Sequence, residues 1–267
     1  MKQMKSTAEK IFFITFCLML TLAAAACASA TNSAQEHLKQ GDAFLQQGKY
    51  DEAIAEYAAA GQADPGVDAA SKISRAQDQR MASLLSAGDL DIAVDEAKAD
   101  VAKSSDEAAR QRLADAYIER AWFYKAKRLN PYTLQDLSAA VQTAPGYYLS
   151  HYELGRFYNN QWQYSLAIPE LSKALSLKDD FAPAYSERAF SYYKNQKLDL
   201  AQADADKSIE LDAAQPQYYY VRSLIYRTLG KNDLAGSDLK KVLELSVDSS
   251  LTDKAKADLQ LIQTVQP

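Results

Sequence analysis

Residues 154–171 read LGRFYNNQWQYSLAIPEL, with Gly155 near the start, two aromatic residues directly after Arg156, and Ala167 four positions before Leu171. Small residues let two helix backbones approach closely, and a large side chain beside them fills the space at the crossing. The stretch therefore predicts two short antiparallel helices that pack against each other.

The same pattern recurs along the chain at a nearly constant period. Aligned on one small residue, the segments are separated by 40, 40, 34, 34 and 34 residues. We call these aligned positions the anchor residues: Ala53, Ala93, Thr133, Ala167, Ala201 and Ala235. A large side chain stands nine residues before each anchor: Phe44, Leu84, Tyr124, Tyr158, Tyr192 and Tyr226. A fixed period of this size predicts stacked units that bury their faces only against each other.

The recurring positions resemble the tetratricopeptide repeat, whose 34-residue unit carries a W-x2-L-G-x2-Y, A-x3-F and P pattern. In the first unit the matching residues are Gly41, Phe44, Ala53, Tyr57 and Pro65. The resemblance implies an all-α fold, a right-handed α-solenoid of about six helix pairs with a concave groove lined by the first helix of each pair. A composition with few glycines and prolines also favours helices.

The period divides the chain into six repeats and a final segment. The repeats span residues 34–67, 74–107, 114–147, 148–181, 182–215 and 216–249. The second and third repeats are longer, and we place their extra residues before the first helix. Ser105 or Asp106 is a candidate cap for an unusually long first helix in the third repeat. Residues 250–267 carry apolar side chains at helical spacing, which predicts a C-terminal capping helix.

The first 26 residues have the pattern of a secretory signal peptide. Residues 1–10 contain three lysines, and Ile11–Ala26 carry no charge. The run is shorter than the roughly 20 residues that cross a bilayer as a helix, which favours cleavage over a permanent span. The chain is therefore expected to be exported.

Two cleavage sites compete at the end of this segment. Ala24–Ala26 followed by Cys27 resembles the lipobox of bacterial lipoproteins, which implies a lipidated Cys27 and a tether over residues 27–33. Ala28-Ser29-Ala30 suits ordinary cleavage, which would discard Cys27. The lipidated form would be anchored to a membrane at the cell envelope, at the outer membrane or the periplasmic face of a two-membrane cell.

Composition excludes several classes of function. A formal charge of −5 disfavours nucleic acid as a partner. Cys17 and Cys27 both lie before the repeats, and His37 and His151 fall in different repeats, so we predict no metal site and no cofactor. No nucleophile elbow and no phosphate-binding glycine loop is present in the sequence. We therefore expect no enzymatic activity.

The remaining candidate site is the groove. Inward-facing side chains are expected two, five, nine and twelve places into each repeat, where aromatic residues alternate with Arg and Lys, the types that dominate binding hot spots. The candidate partner-binding residues are Trp122, Lys125, Tyr152, Arg156, Asn159, Phe190, Tyr193, Tyr220 and Arg227. The alternative is that several of these tyrosines only fill gaps between adjacent repeats.

These features predict a non-catalytic scaffold or assembly factor at the bacterial cell envelope that binds a protein partner or peptide segment. The envelope role is what the resemblance to lipoproteins with such repeats implies. Two alternatives remain open. In the first, the chain would be a self-associating structural protein that forms a homo-oligomer through an aromatic edge such as Tyr218–Tyr220. In the second, it would be a glycan-binding accessory subunit of envelope machinery.

Overall fold

The computed structural model describes residues 31–104 and 106–265, and all regular structure in these residues is helical. The segment 1–30 and Ser105 lie outside the described residues, so the signal peptide and the lipidation of Cys27 stay predictions. The helices are α1 (31–46), α2 (Tyr50–Ala63), α3 (Ala69–Ala87), α4 (Leu90–Lys103), α5 (Glu107–Ala126), α6 (Asn130–Thr143), α7 (Tyr148–Asn160), α8 (Tyr164–Leu177), α9 (Ala182–Lys194), α10 (Leu198–Leu211), α11 (Pro216–Thr228), α12 (Asn232–Leu245) and α13 (Ser249–Val265).

The helices fall into two compact units, Met1–Ala93 and Val94–Pro267. In the described part of the first unit, α1 packs on α2 and α2 packs on α3. The anchor Ala53 and the fully buried Tyr57 lie at the centre of its core. The Tyr57 hydroxyl donates to Asp42 Oδ1 at 2.8 Å, which ties the first helix of this repeat to the second.

The second unit contains consecutive antiparallel pairs, α5 with α6, α7 with α8, α9 with α10 and α11 with α12. The small residues predicted at the crossings are buried. At Gly155 an added Cβ would lie 2.7 Å from Leu171 Cγ and 3.3 Å from the backbone oxygen of Ala167. The expected all-α fold with paired helices is confirmed. The last helix, α13, packs on α12 and covers its apolar face.

The extra residues of the second and third repeats lie inside helices rather than before them, so their placement before the first helix was wrong. The predicted long first helix of the third repeat, capped by Asp106, is confirmed. Helix α3 has 19 residues and α5 has 20. Each begins directly after an aspartate whose carboxylate accepts a backbone N–H. Asp68 accepts from Ser71 at 3.3 Å, and Asp106 accepts from Ala109 at 2.7 Å. These caps satisfy N–H groups that the first turn leaves without partners.

The turn between the two helices of each repeat contains one residue with left-handed backbone geometry. It lies five positions before the anchor in every repeat: Gly48 (φ 72°), Gly88 (φ 81°), Arg128 (φ 61°), Trp162 (φ 61°), Gln196 (φ 59°) and Gly230 (φ 72°). Glycine adopts this conformation freely, whereas a residue with a Cβ pays about 1 kcal/mol. Three repeats therefore carry a strained side chain at this turn.

A carboxylate stands three residues after each anchor, and in repeats one, three, four, five and six it joins the two helices of the repeat. In the second unit, three of these carboxylates each bind an arginine of the first helix through two parallel hydrogen bonds of 2.7 to 2.9 Å: Arg120–Asp136, Arg188–Asp204 and Arg222–Asp238. A histidine replaces the arginine in two other repeats. Nδ1 lies 2.7 Å from the carboxylate oxygen in His37–Glu56 and in His151–Glu170.

Candidate partner-binding face

The nine candidate binding residues all lie on the first helices of the repeats in the second unit. Helices α5, α7, α9 and α11 pack side by side, since each contacts the next in this order. We call the surface that they form the first-helix face. The structure brings the nine residues into three groups along it, and the first group contains two buried polar atoms without a hydrogen bond of good geometry.

The first group surrounds Trp122 on α5. Lys125 Nζ and Arg156 Cζ each lie 4.1 Å from the centre of the Trp122 ring. A cation this close to an aromatic ring is attracted by the negative charge of its face. Two cations therefore already contact the half-buried indole, and Trp122 is not the open aromatic anchor that the sequence suggested.

Glu153 lies next to Trp122 and is buried. Arg156 Nε is 3.2 Å from Glu153 Oε2. Burial raises the pKa of the Glu153 carboxyl to about 7, although Arg156 and the Trp122 N–H act to lower it. Burial also lowers the pKa of the Lys125 ammonium, and nearby Arg156 adds to this effect. The group thus combines two cations with a carboxyl that titrates near neutral pH.

A second carboxyl, Glu187 on α9, completes this group. Asn159 Nδ2 donates to Glu187 Oε2 at 2.8 Å and to the backbone oxygen of Glu187 at 3.0 Å, and Ser191 Oγ donates to Asn159 Oδ1 at 2.6 Å. Burial raises the pKa of Glu187 despite these bonds. Asn159, which the sequence singled out for binding, instead holds α7 to α9.

Two polar atoms of this group make no hydrogen bond of good geometry within the described residues. They are Trp122 Nε1, a donor, and Glu153 Oε2, an acceptor when ionised. Nearly all buried polar atoms in native proteins have a partner, and each exception needs an explanation. Here the indole N–H lies near the Glu153 carboxyl and Arg156 Nε lies 3.2 Å from Oε2, so a polar group from outside the chain would compete with these weak contacts.

The second group is aromatic. Phe190 lies 5.9 Å from the ring of Tyr164 and 6.3 Å from that of Tyr193, and Lys194 Nζ lies within 5.3 Å of the Phe190 and Tyr193 ring centres. Both aromatic rings remain partly exposed on the face. Tyr152, by contrast, is buried against Phe181, so it fills the gap between adjacent repeats, as the alternative interpretation held.

The third group is occupied by the last helix. The Tyr220 hydroxyl donates to Asp258 Oδ2 at 3.1 Å, and Arg227 pairs with Asp258 Oδ1. Burial raises the pKa of Tyr220 to about 12, and Asp258 adds to the increase. A cavity of about 350 Å³ lies beside Arg227 and is bordered by Gly230 and Leu261. Asp258 of α13 therefore takes the place at Tyr220 and Arg227 that the sequence assigned to a partner.

The sequence reasoning missed Glu153, Glu187 and Asp258. Glu153 and Glu187 stand six places into their repeats, outside the positions expected to face inward. A signal was present, because glutamate recurs at the sixth place of three successive repeats, Glu119, Glu153 and Glu187. Asp258 lies beyond the last repeat, and no repeat pattern marks it.

The described residues contain no cluster of three or more His, Cys, Asp or Glu side chains that could hold a metal ion. Among the helices in ranges 31–104 and 106–265, none is both long enough and apolar enough to cross a bilayer.

The family model of the tetratricopeptide repeat matches residues 37–66 and 216–246. These two segments are therefore similar to the tetratricopeptide repeat. The two matched segments coincide with most of the first and the last repeat, and the anchor residues between them follow at steps of 40 or 34 residues. No curated protein sequence matches the chain.

Three solved structures illustrate the likeness in fold. YrrB, described as a tetratricopeptide-repeat protein with an unusual peptide-binding site, is 16% identical over 83% of this chain and 90% of its own, with a TM-score of 0.46. MamA is 20% identical over 81% and 96%, with a TM-score of 0.44. The second repeat domain of human RPAP3, solved with an HSP70 peptide, is 25% identical over 43% and 93%, with a TM-score of 0.39. Similarities at this level identify no partner for this chain.

Proposed function

We propose that the chain is a non-catalytic interaction module that binds a peptide segment of a partner protein across its first-helix face. The observation that carries this proposal is the weakly bonded polar pair on this face. Trp122 Nε1 and Glu153 Oε2 make no hydrogen bond of good geometry, although the indole N–H lies close enough to Glu153 to lower its pKa and Arg156 Nε lies 3.2 Å from Oε2. A peptide group offers both an N–H donor and a C=O acceptor. One stretch of partner backbone can therefore offer each atom a better-aligned hydrogen bond.

The charges of the same group favour a partner segment with acidic side chains. Lys125 and Arg156 lie against Trp122, and Glu153 and Glu187 both have raised pKa values. Protonation of Glu153 as the pH falls through about 7 leaves the cations in excess over the ionised carboxyls. The partly exposed rings of Phe190 and Tyr193 supply apolar contact area beside this group.

We further propose that the chain is exported and works as a scaffold or assembly factor at a bacterial cell envelope, anchored through lipidated Cys27. The support is the charged start, the apolar run and the small residues before Cys27. A fatty-acid label should enter the full chain but not the Cys27→Ser variant. Equal labelling of the parent chain and the Cys27→Ser variant would overturn the proposed lipid anchor on Cys27. Residues 1–26 would then be explained as a signal peptide removed by ordinary cleavage, with secretion of the rest.

The test of the binding face uses residues 28–267, which contain every described helix, as bait for envelope extract of the source cell. The variants are Trp122→Phe, which keeps an aromatic ring and removes the N–H, and Glu153→Gln. The control is Tyr132→Ala, which removes an exposed ring outside the first-helix face. Capture of a protein by the parent and by the control, with loss in both face variants, supports the proposal.

The opposite results are equally informative, provided circular dichroism shows unchanged helicity in every variant. Equal capture by all four forms would place binding elsewhere on the surface. Capture of purified peptidoglycan instead of protein would favour the glycan-binding alternative. Concentration-dependent growth of the particle in light scattering, abolished by the face variants, would favour self-association.

A further inference from the structure

A second surface of the chain exposes apolar side chains in a regular pattern. We define the turn edge as the four turns that precede the anchors of repeats three to six, residues 126–132, 160–166, 194–200 and 228–234. Most of the large apolar side chains that stay exposed in the described residues of the second unit lie on it: Leu129, Tyr132, Trp162, Leu166, Leu200 and Leu234.

The exposure follows the repeat and is not scattered. The residue directly before the anchor is Tyr132, Leu166, Leu200 or Leu234 in the four turns, and each is about half exposed, between 49% and 54%. Single exposed apolar residues are common on proteins, whereas a contiguous set marks an interaction site. The first repeat has Glu52 at this place, so the repeat itself does not require an apolar residue there.

Trp162 is the strongest indication of function on this edge. Its side chain is 81% exposed, and its backbone has φ 61°, at a place where three other repeats have glycine. Neither the exposure nor the backbone strain stabilises the fold. Strained residues of this kind concentrate at functional sites. A large aromatic ring held in water at a strained turn is therefore best explained by a contact made outside the chain.

The four turns form a continuous surface. Asn130 Nδ2 donates to Gln161 Oε1 at 3.4 Å, which joins the first two turns. Phe190 contacts Tyr164 of the second turn and Lys194 of the third. Lys231 of the fourth turn donates to Gln202, two residues after the third turn, at 3.0 Å. The exposed apolar residues therefore lie along one edge of the second unit.

The charge of this edge is opposite to that of the chain. The four turns contain five basic residues, Lys127, Arg128, Lys194, Lys197 and Lys231, and two acidic residues, Asp199 and Asp233, a net charge of +3. The whole chain has a net charge of −5. Exposed Trp, Tyr and Leu side chains mixed with Lys and Arg are the composition that binds the interface of anionic membranes.

We propose that the turn edge docks on the surface of an anionic lipid bilayer, with Trp162 and the leucines entering the headgroup region and the lysines and Arg128 facing lipid phosphates. A second copy of the chain fits less well, because a symmetric contact would bring two basic edges together. The inference goes beyond partner binding and does not depend on lipidation of Cys27.

The test uses residues 28–267, which lack the lipid anchor, in flotation with vesicles of equal parts phosphatidylglycerol and phosphatidylethanolamine. Vesicles of phosphatidylcholine alone are the control for charge. The parent chain should float with the anionic vesicles at low salt and dissociate as salt rises. Fluorescence of Trp162 should shift to the blue and be quenched by brominated acyl chains, measured in the Trp122→Phe background so that Trp162 is the single tryptophan.

The first repeat supplies substitutions that the fold tolerates. Trp162→Gly introduces glycine, which the first repeat has at the equivalent position, Gly48. Leu200→Glu introduces glutamate, which the first repeat has at the equivalent position, Glu52. Each should weaken vesicle partitioning by about tenfold or more, because Trp and Leu provide the buried apolar area. Gln196→Gly makes the same backbone change in the next turn and should leave binding unchanged. Val247→Glu, which adds a carboxylate to a fully exposed position outside the edge, is the charge control.

Each contrary result overturns the proposal. Absence of flotation with anionic vesicles at low salt shows that the edge does not bind lipid. Equal flotation of the parent and Trp162→Gly moves lipid binding to another surface. Dimerisation that Trp162→Gly abolishes, without any flotation, would make a second copy the occupant. None of these results affects the peptide-binding proposal, because Trp162 and Leu200 lie outside the first-helix face.

Discussion

Arg188 on α9 and Asp204 on α10 connect the two helices of the fifth repeat through two parallel hydrogen bonds, Nε to Oδ2 at 2.7 Å and Nη2 to Oδ1 at 2.9 Å. Both side chains are largely buried. Asp204→Ala leaves the guanidinium without its carboxylate, and we expect a loss of about 3 kcal/mol in the free energy of unfolding. Urea denaturation measures it.

Replacement of both partners separates the cost of an unpaired charge from the value of the pair. The double variant Arg188→Met, Asp204→Leu should recover most of the stability lost in Asp204→Ala, because apolar residues of similar size often replace a buried ion pair at little cost. A loss below about 0.5 kcal/mol in Asp204→Ala would instead show that water solvates the arginine.

Gly155 should not accept even one methyl group. The Cβ of Gly155→Ala would lie 2.7 Å from Leu171 Cγ, and Leu171 is fully buried. Overpacking costs about 1–3 kcal/mol, which exceeds the gain of about 1 kcal/mol in helix propensity. Gly236→Ala is the matched control, since its Cβ would meet Leu259 Cδ1 at an ordinary 3.7 Å. Thermal denaturation should show a lower Tm for the first variant and an equal or higher Tm for the second.

Stability should fall as the pH rises through neutrality. Burial raises the pKa of Glu153 from 4.5 to about 7, so between these values the folded chain keeps a proton that the unfolded chain has lost. The stabilisation is complete below pH 4.5 and is lost as the pH passes 7. We expect a decrease of about 3 kcal/mol across this window.

Glu153→Gln identifies the source of this pH dependence. Denaturation at a series of pH values should give a flatter profile for the variant, with the contribution of Glu187 remaining, since burial also raises the pKa of that carboxyl. A parent chain whose stability rises across the same window would contradict the burial of an ionisable Glu153.

The strained turns offer a gain in stability. Gln196→Gly and Arg128→Gly place glycine where φ is 59° and 61°. Relief of the left-handed strain should raise the free energy of unfolding by up to about 1 kcal/mol, offset in part by the greater freedom of glycine in the unfolded chain. A lower Tm in both variants would show that these side chains make stabilising contacts that outweigh the strain.

The fold could be predicted because it depends on a sequence pattern that recurs at a regular period. Ala167 and the other anchors sit at crossings where only small residues fit, and the same requirement returns every 34 residues in the later repeats. The long helix α5 and its cap Asp106 were predicted, but the long helix α3 was not. Its first turn follows from the cap Asp68, a local feature that alignment on the anchors does not weigh.

The candidate site was predictable only in outline. Spacing indicated which helices form the face, but not that Trp122 would be covered by Lys125 and Arg156, because contacts between repeats depend on three-dimensional packing. The contribution of Asp258 had no sequence signal, since it comes from a helix outside the period.

An array of equivalent units has no inherent length, since each stacking surface can receive another unit. Helix α13 ends this series in the second unit. It covers the apolar side of α12 with Leu251, Ala255 and Ile262, and it neutralises Arg227 with Asp258. A further repeat would have to displace both contacts. The C-terminal helix thus covers the surface of the last helix pair on which another unit of the same kind would stack.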